Sequence, residues 1–132
     1  MVRKVAVMLF EDTKGRLLLM LRDNKPTIPY PNHWGLIGGH IEEGETPQEA
    51  VKREVKEELK YKIKHFLLFK HYHFKDIESS YVFYTKGSYK LTDFRLNEGQ
   101  KLKFFSKKEC EKLKIAFEDK KIIEDYFKNN QK

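Results

Sequence analysis

Gly39-His40-Ile41-Glu42-Glu43-Gly44-Glu45-Thr46-Pro47-Gln48-Glu49-Ala50-Val51-Lys52-Arg53-Glu54-Val55-Lys56-Glu57-Glu58 is the stretch on which the fold turns. Thr46 offers an N-cap hydroxyl, Pro47 falls at the first helical position, and Glu49 completes a capping box. Together they predict a helix from Pro47 to about Leu59. At about 100° per residue, Val51, Val55 and Leu59 line up as a narrow apolar stripe for a core. Glu54, Glu57 and Glu58 lie beside it, while Lys52, Lys56 and Lys60 face water. Three carboxylates on one arc repel each other about as strongly as i, i+4 ion pairs attract. A structural helix gains nothing from that. A hard divalent cation removes the repulsion, and magnesium suits a site that leaves positions for water and phosphate. Gly38 and Gly39, just before, allow a sharp turn or a close approach of backbone to a ligand. A glutamate-rich surface helix behind a glycine loop has the same spacing, so the acids alone leave both readings open.

On the N-terminal side, Arg3–Phe10 and Arg16–Leu21 read as strands of a hairpin turning at Asp12-Thr13-Lys14-Gly15. Residues 24–33 form a loop broken by Pro26, Pro29 and Pro31, and Trp34–Ile37 is a short apolar run ended by Gly38-Gly39. On the C-terminal side, Tyr61–Phe69, Lys70–Phe74, Ser80–Thr85 and Lys101–Phe105 have strand character. Ser106 with Glu109 offers a second capping box, for a short helix through Leu113. Glu118–Lys128 carries Ile122, Ile123, Tyr126 and Phe127 on one side, as an amphipathic helix would. Mixed strands with helices between and after them predict an α/β fold. No repeat, low-complexity tract or linker divides the 132 residues, so residues 1–132 are expected to form one domain.

Apolar residues at 39% and aromatics at 14% suffice for a packed interior. No apolar run nears the roughly 20 residues of a membrane span, and the N-terminus lacks a signal-peptide pattern. The lone Cys110 excludes an intrachain disulfide and a multi-cysteine zinc site. A cytoplasmic protein without a membrane partner is therefore expected. The net charge of +7 is unevenly spread. Residues 40–60 hold Glu42, Glu43, Glu45, Glu49, Glu54, Glu57 and Glu58 against Lys52, Arg53, Lys56 and Lys60, a net −3 that leaves +10 elsewhere. An acidic knot in a basic chain suits a metal site that attracts phosphate anions.

The stretch quoted above resembles the Nudix box: Gly, five residues, Glu, seven residues, Arg-Glu, an aliphatic, any residue, Glu-Glu, any residue, Gly and an aliphatic. Every charged position matches across about 23 residues. The departure is Lys60-Tyr61, where the family has glycine and an aliphatic. Glycine there would take a left-handed C-terminal conformation, which costs lysine roughly 1 kcal/mol. The resemblance implies a Nudix α/β/α sandwich around a mixed central sheet. It also implies magnesium-dependent (manganese possible) hydrolysis of a diphosphate linkage in a small-molecule nucleotide.

Carried over by position, the resemblance makes Glu54, Glu57 and Glu58 metal carboxylates, with the Gly39 carbonyl as a further ligand. Arg53 would orient them, and Glu45 would support the loop–helix junction. MutT-like members place another metal-associated glutamate in a later Glu-Gly-Gln stretch, which Glu98-Gly99-Gln100 matches. The general base falls to Glu57, Glu58 or Glu98. Longer signatures of the coenzyme A and NADH branches are absent, so a MutT-like nucleoside triphosphate pyrophosphatase is the default. Phe117 stands near where MutT has a base-reading asparagine, and it and Trp34 are candidates for contacting substrate. His33 reads as a hydrogen-bonding surface residue, and His71 and His73 as strand residues on one face. The alternative is a Nudix-like module that binds nucleotide or RNA without cleaving it. The intact box glutamates argue against it. Nudix domains often pair, so a homodimer is within the family pattern.

Overall fold

A computed structural model describes residues 2–129, so Met1 and residues 130–132 of the expected domain lie outside the described residues. Its centre is strand β1 (Arg3–Glu11), whose residues Val5–Phe10 are all buried. The near-continuous apolar run Val5-Ala6-Val7-Met8-Leu9-Phe10 is what a strand covered on both faces requires. β1 pairs in parallel with β6 (Glu78–Lys86) over nine residues, from Arg3 opposite Glu78 to Glu11 opposite Lys86. It is antiparallel to β2 (Leu17–Leu21) at one end and to β4 (Ile37–His40) through Val5–Met8. Beyond these lie β3 (Trp34–Gly35) and β7 (Lys101–Phe105) on β2, and β5 (Leu67–Phe74) on β6.

Even-numbered residues of β1 face one helix and odd-numbered residues the others. Ala6, Met8 and Phe10 pack with Ala50, Val51, Val55 and Leu59 of α1 (Pro47–Leu59). Val7 and Leu9 pack with Cys110 of α2 (Lys107–Cys110) and with Ile122, Ile123, Tyr126 and Phe127 of α3 (Asp119–Asn129). The result is an α/β/α sandwich on a mixed sheet, as the sequence predicts. Both capping boxes form, with Thr46 Oγ1 accepting from Glu49 N–H at 3.1 Å and Ser106 Oγ from Glu109 N–H at 3.2 Å.

Four expectations are corrected. Residues 61–66 are not strand: their apolar side chains fill the edge of the α1 core, with Tyr61 edge-on to Phe94 and Phe66 edge-on to Phe83. The two strands expected over 61–74 are one, β5, with an irregularity between Leu68 and Lys70. Gly38 and Gly39 do not end a strand but lie within β4, since their small size lets β1 and α1 close on them. The predicted second helix is also shorter, ending at Cys110 and continuing as turns.

Lys60 ends α1 at φ 53°, ψ 34°, the left-handed conformation expected of glycine, and donates its N–H to Lys56 O at 3.0 Å. Lys60→Gly is therefore expected to stabilise the fold by roughly 1 kcal/mol, read as an upward shift in the urea midpoint at constant slope. An unchanged midpoint would mean that the lysine carries no strain.

Candidate active site

Arg53 organises the acidic face of α1. Its Nε donates to Glu45 Oε2 at 2.7 Å, its Nη1 to Glu54 Oε1 at 3.0 Å and Glu57 Oε1 at 3.2 Å, and its Nη2 to the His40 carbonyl at 3.0 Å. The Glu45 hydrogen bond, with those to Glu57 and Glu54, raises the guanidinium's already high pKa and so locks its charge. The same contact from Arg53, with the Glu42 N–H, lowers the pKa of Glu45. A planar fork with several donors does this where a lysine ammonium would not.

Glu54 and Glu58 project inward from the same helix. Burial raises the pKa of Glu54, Arg53 opposes that shift, and the charge of Glu57 adds to it. Glu58 is 9% exposed and pushed up to about 9, first by burial and then by the charge of Glu54, with the Gly38 N–H pulling the other way. Its Oε2 has no hydrogen-bond partner. Gly39 lies directly against Glu54: a Cβ there would come within 2.7–2.8 Å of all three carboxyl atoms. Two adjacent carboxyls, one oxygen buried without a partner and a backbone strand pressed close make an oxygen-only donor set. That chemistry fits a hard divalent cation and no soft one. Glu57 is exposed and engaged by Arg53, and Glu98 is exposed in the loop before β7, close enough for its charge to act on Glu58. Among the described residues, no three acidic, histidine or cysteine side chains converge as a finished cage. The structure thus brings Gly39, Arg53, Glu54 and Glu58 together and leaves Glu57 and Glu98 at the rim.

Beside them, through Gly38, Gly39 and His40, opens a cavity of about 300 Å³. Phe117 lines it, at φ 53°, with the Arg3 and Arg22 guanidiniums 4.5 and 5.0 Å from its ring centroid and Tyr30 at 4.8 Å. Trp34, expected at the substrate, is instead packed edge-on against Phe105 at 4.7 Å and does not line the cavity, because its strand turns it toward the α3 side. His33 spends Nδ1 on the Pro31 carbonyl at 2.8 Å. His71 stacks on Tyr81 and bonds Ser79, with His73 beside it, away from the cavity.

Four cavity residues went unnoticed in the sequence. Arg3 pairs with the buried Glu78, Nε to Oε1 at 3.1 Å, and the Ser80 hydroxyl donates to the other Glu78 oxygen. Arg22 is held by the Pro29 carbonyl at 2.9 Å. Asp119, 7% exposed, accepts the Leu36 N–H at 3.0 Å. Burial pushes its pKa up to about 7, helped by the charge of Glu78 and opposed by Leu36, Arg3 and Arg22. A carboxyl held above its unfolded pKa favours folding at low pH, and that contribution is lost as pH rises from about 4 through about 7. Asp119→Asn should therefore gain stability relative to the parent between about pH 5 and pH 8, by roughly a few kcal/mol, in melts across that range. A constant difference would remove the buried charge from the account.

The model of the NUDIX domain matches residues 1–126. The chain is 42% identical over 55 residues to dihydroneopterin triphosphate diphosphatase of Escherichia coli K12, a match covering 42% of this chain and 33% of that protein. It is 39% identical over 57 residues to nucleoside triphosphatase NudI of Salmonella schwarzengrund, covering 43% of this chain and 39% of that protein. These matches thus span well under half the length of the curated relatives. A solved structure of MutT, from a study of Aliivibrio salmonicida and Vibrio cholerae, superposes with a TM-score of 0.79 at 15% identity, over 98% of this chain and 99% of that one. At that identity the likeness concerns the fold. Among the described residues, no helix is long and apolar enough to cross a membrane.

Proposed function

This chain belongs to the NUDIX domain family, and on that footing we propose that it hydrolyses the diphosphate linkage of a nucleoside diphosphate-linked substrate, as a MutT-like nucleoside triphosphate pyrophosphatase. The observation that carries the reading is the partnerless Oε2 of buried Glu58 beside Glu54, both against the Gly38-Gly39 backbone that lines a cavity together with Arg3 and Arg22. The names of the two curated relatives, one a diphosphatase and one a nucleoside triphosphatase, support a triphosphate substrate.

Glu54, Glu57, Glu58, Glu98 and the Gly39 carbonyl would hold magnesium or manganese. When bound, the metal supplies Lewis-acid neutralisation of phosphoryl charge and lowers the pKa of a coordinated water. The chain's own residues do the rest. Arg53 keeps Glu45, Glu54 and Glu57 in one orientation, so carboxylates that repel each other are arranged before substrate arrives. The proton of the attacking water would pass to Glu57, Glu58 or Glu98, of which Glu57 and Glu98 are exposed and Glu58 is buried. Arg22, and Arg3 beside its partner Glu78, bring guanidinium groups to the cavity, and Phe117 offers a flat contact for a ring. The reading puts the enzyme in the cytoplasm, where the buried Cys110, its pKa raised to about 12 by burial, stays a thiol.

The test is product release from nucleoside triphosphates, dihydroneopterin triphosphate, ADP-ribose, nucleotide sugars and dinucleoside polyphosphates, with and without magnesium. Magnesium-dependent cleavage of one class is expected. Nucleotide or RNA binding with no cleavage of any substrate would favour the non-hydrolytic module instead.

A further inference from the structure

We propose that His71 and His73 form a metal site of their own, a two-imidazole chelate on the edge strand β5 that takes a transition-metal cation of the Cu2+ or Ni2+ class. It lies away from the cavity and stands independently of the function proposed above.

His71 and His73 are two residues apart on one strand, so the pleat turns both to the same face of the sheet. Their partners on β6 are Tyr81 and Ser79. Tyr72, between them, points to the opposite face, where its hydroxyl donates to Asp125 of α3 at 2.7 Å. The two imidazole centroids are 4.3 Å apart, with His73 exposed and His71 half-buried. Water and a metal ion can therefore reach the pair without any movement of the fold.

His71 is held from two sides. Its ring stacks on Tyr81 at 3.8 Å and 13° between planes, and its Nε2 is hydrogen-bonded to Ser79 Oγ at 2.7 Å. Ser79 itself is buried in the sheet. With the proton on Nε2, that nitrogen donates to Ser79 and Nδ1 keeps its lone pair for a metal. Histidines that bind metals commonly spend the other ring N–H in this way, which fixes both tautomer and ring plane.

The spacing selects the metal. A cation about 2.0–2.1 Å from an imidazole nitrogen lies roughly 3.2 Å from that ring's centroid. Two centroids 4.3 Å apart then subtend about 85° at a shared ion, near the right angle between neighbouring positions of a tetragonal site. Tetragonal nitrogen and oxygen ligation is the preference of Cu2+ and Ni2+, with water in the remaining positions. Magnesium selects oxygen and does not compete for imidazoles. Lys4, opposite Ser79 on β1, continues the His73 row. At two strand spacings, roughly 10 Å, its charge is largely screened by salt.

The test titrates Cu2+ calorimetrically into the untagged full chain with excess Mg2+ present, so that the carboxylates of α1 are offered the cation that suits them. One Cu2+ per chain is expected. His71→Asn and His73→Asn should each weaken binding at least about tenfold, the lower end of what loss of even an outer ligand partner costs a metal site. Binding that keeps the parent's affinity in both variants overturns the proposal. The parent alone supplies a second reading, which holds even if a variant fails to fold. Substoichiometric Cu2+ should broaden the amide signals of His71, His73 and Ser79 before others. Broadening centred on α1, or anywhere else in the chain, overturns the site.

Discussion

Glu58→Gln is expected to lower turnover at least about 100-fold while leaving the fold intact. The two halves of that statement come from the same atoms. Without a cation, burial and Glu54 hold Glu58 at a pKa of about 9, so at neutral pH it is already mostly an uncharged group. Glutamine copies that uncharged form in shape, and its melting temperature in chelator should stay close to the parent's or rise. With magnesium present the two proteins should part. The parent gains stability through binding, by RT ln(1 + [L]/Kd), and the variant, lacking a carboxylate at the orphaned position, gains less. Turnover within tenfold of the parent, or an equal magnesium-induced shift, would remove Glu58 from the metal site.

Gly38→Ala is expected to cost about 3 kcal/mol or more, enough to threaten folding at 37 °C in a protein of this size. Gly38 has φ +153°, and its missing Cβ would lie 2.7 Å from Val7 Cα and closer still to the Ala6 carbonyl oxygen. Both obstacles are main chain of the central strand, which cannot move without disturbing the sheet. Gly39→Ala is the instructive contrast. Its Cβ meets the end of the Glu54 side chain, which can swing away. That variant should fold nearly as well and lose activity instead. Chemical denaturation of both variants beside an activity assay gives the comparison. A stable Gly38→Ala protein would contradict the packing described for β4.

The contrast explains what was legible in the sequence. Thr46, Pro47 and Glu49 act on backbone within one turn of themselves, so α1 and its caps can be read from a few neighbours. The Arg53–Glu54–Glu57–Glu58 face follows from helical spacing, and the left-handed Lys60 from the glycine it replaces. The cavity is another matter. Arg3 begins a strand, Arg22 ends one, Glu78 opens another, and Asp119 starts a helix; each is ordinary in its own segment. Only the parallel pairing of β1 with β6 sets Arg3 opposite Glu78, and only the docking of α3 brings Asp119 to Leu36. Residues 61–66 misled for a related reason. Their apolar character serves a loop packed under α1, and burial alone does not distinguish that from a strand.

The β1–β6 pairing also bears on how the molecule is made. Its partners, from Arg3 with Glu78 onward, are 75 residues apart, a long loop to close before the ladder rewards it. During synthesis the Val5–Phe10 segment leaves the ribosome with its lasting neighbour still untranslated. β2 and β4 can shelter parts of it early, but the full strand waits for Lys86. The nascent chain therefore carries an exposed, aggregation-prone ribbon through much of its translation, and its yield in the cell should depend on chaperone supply more than the finished fold suggests.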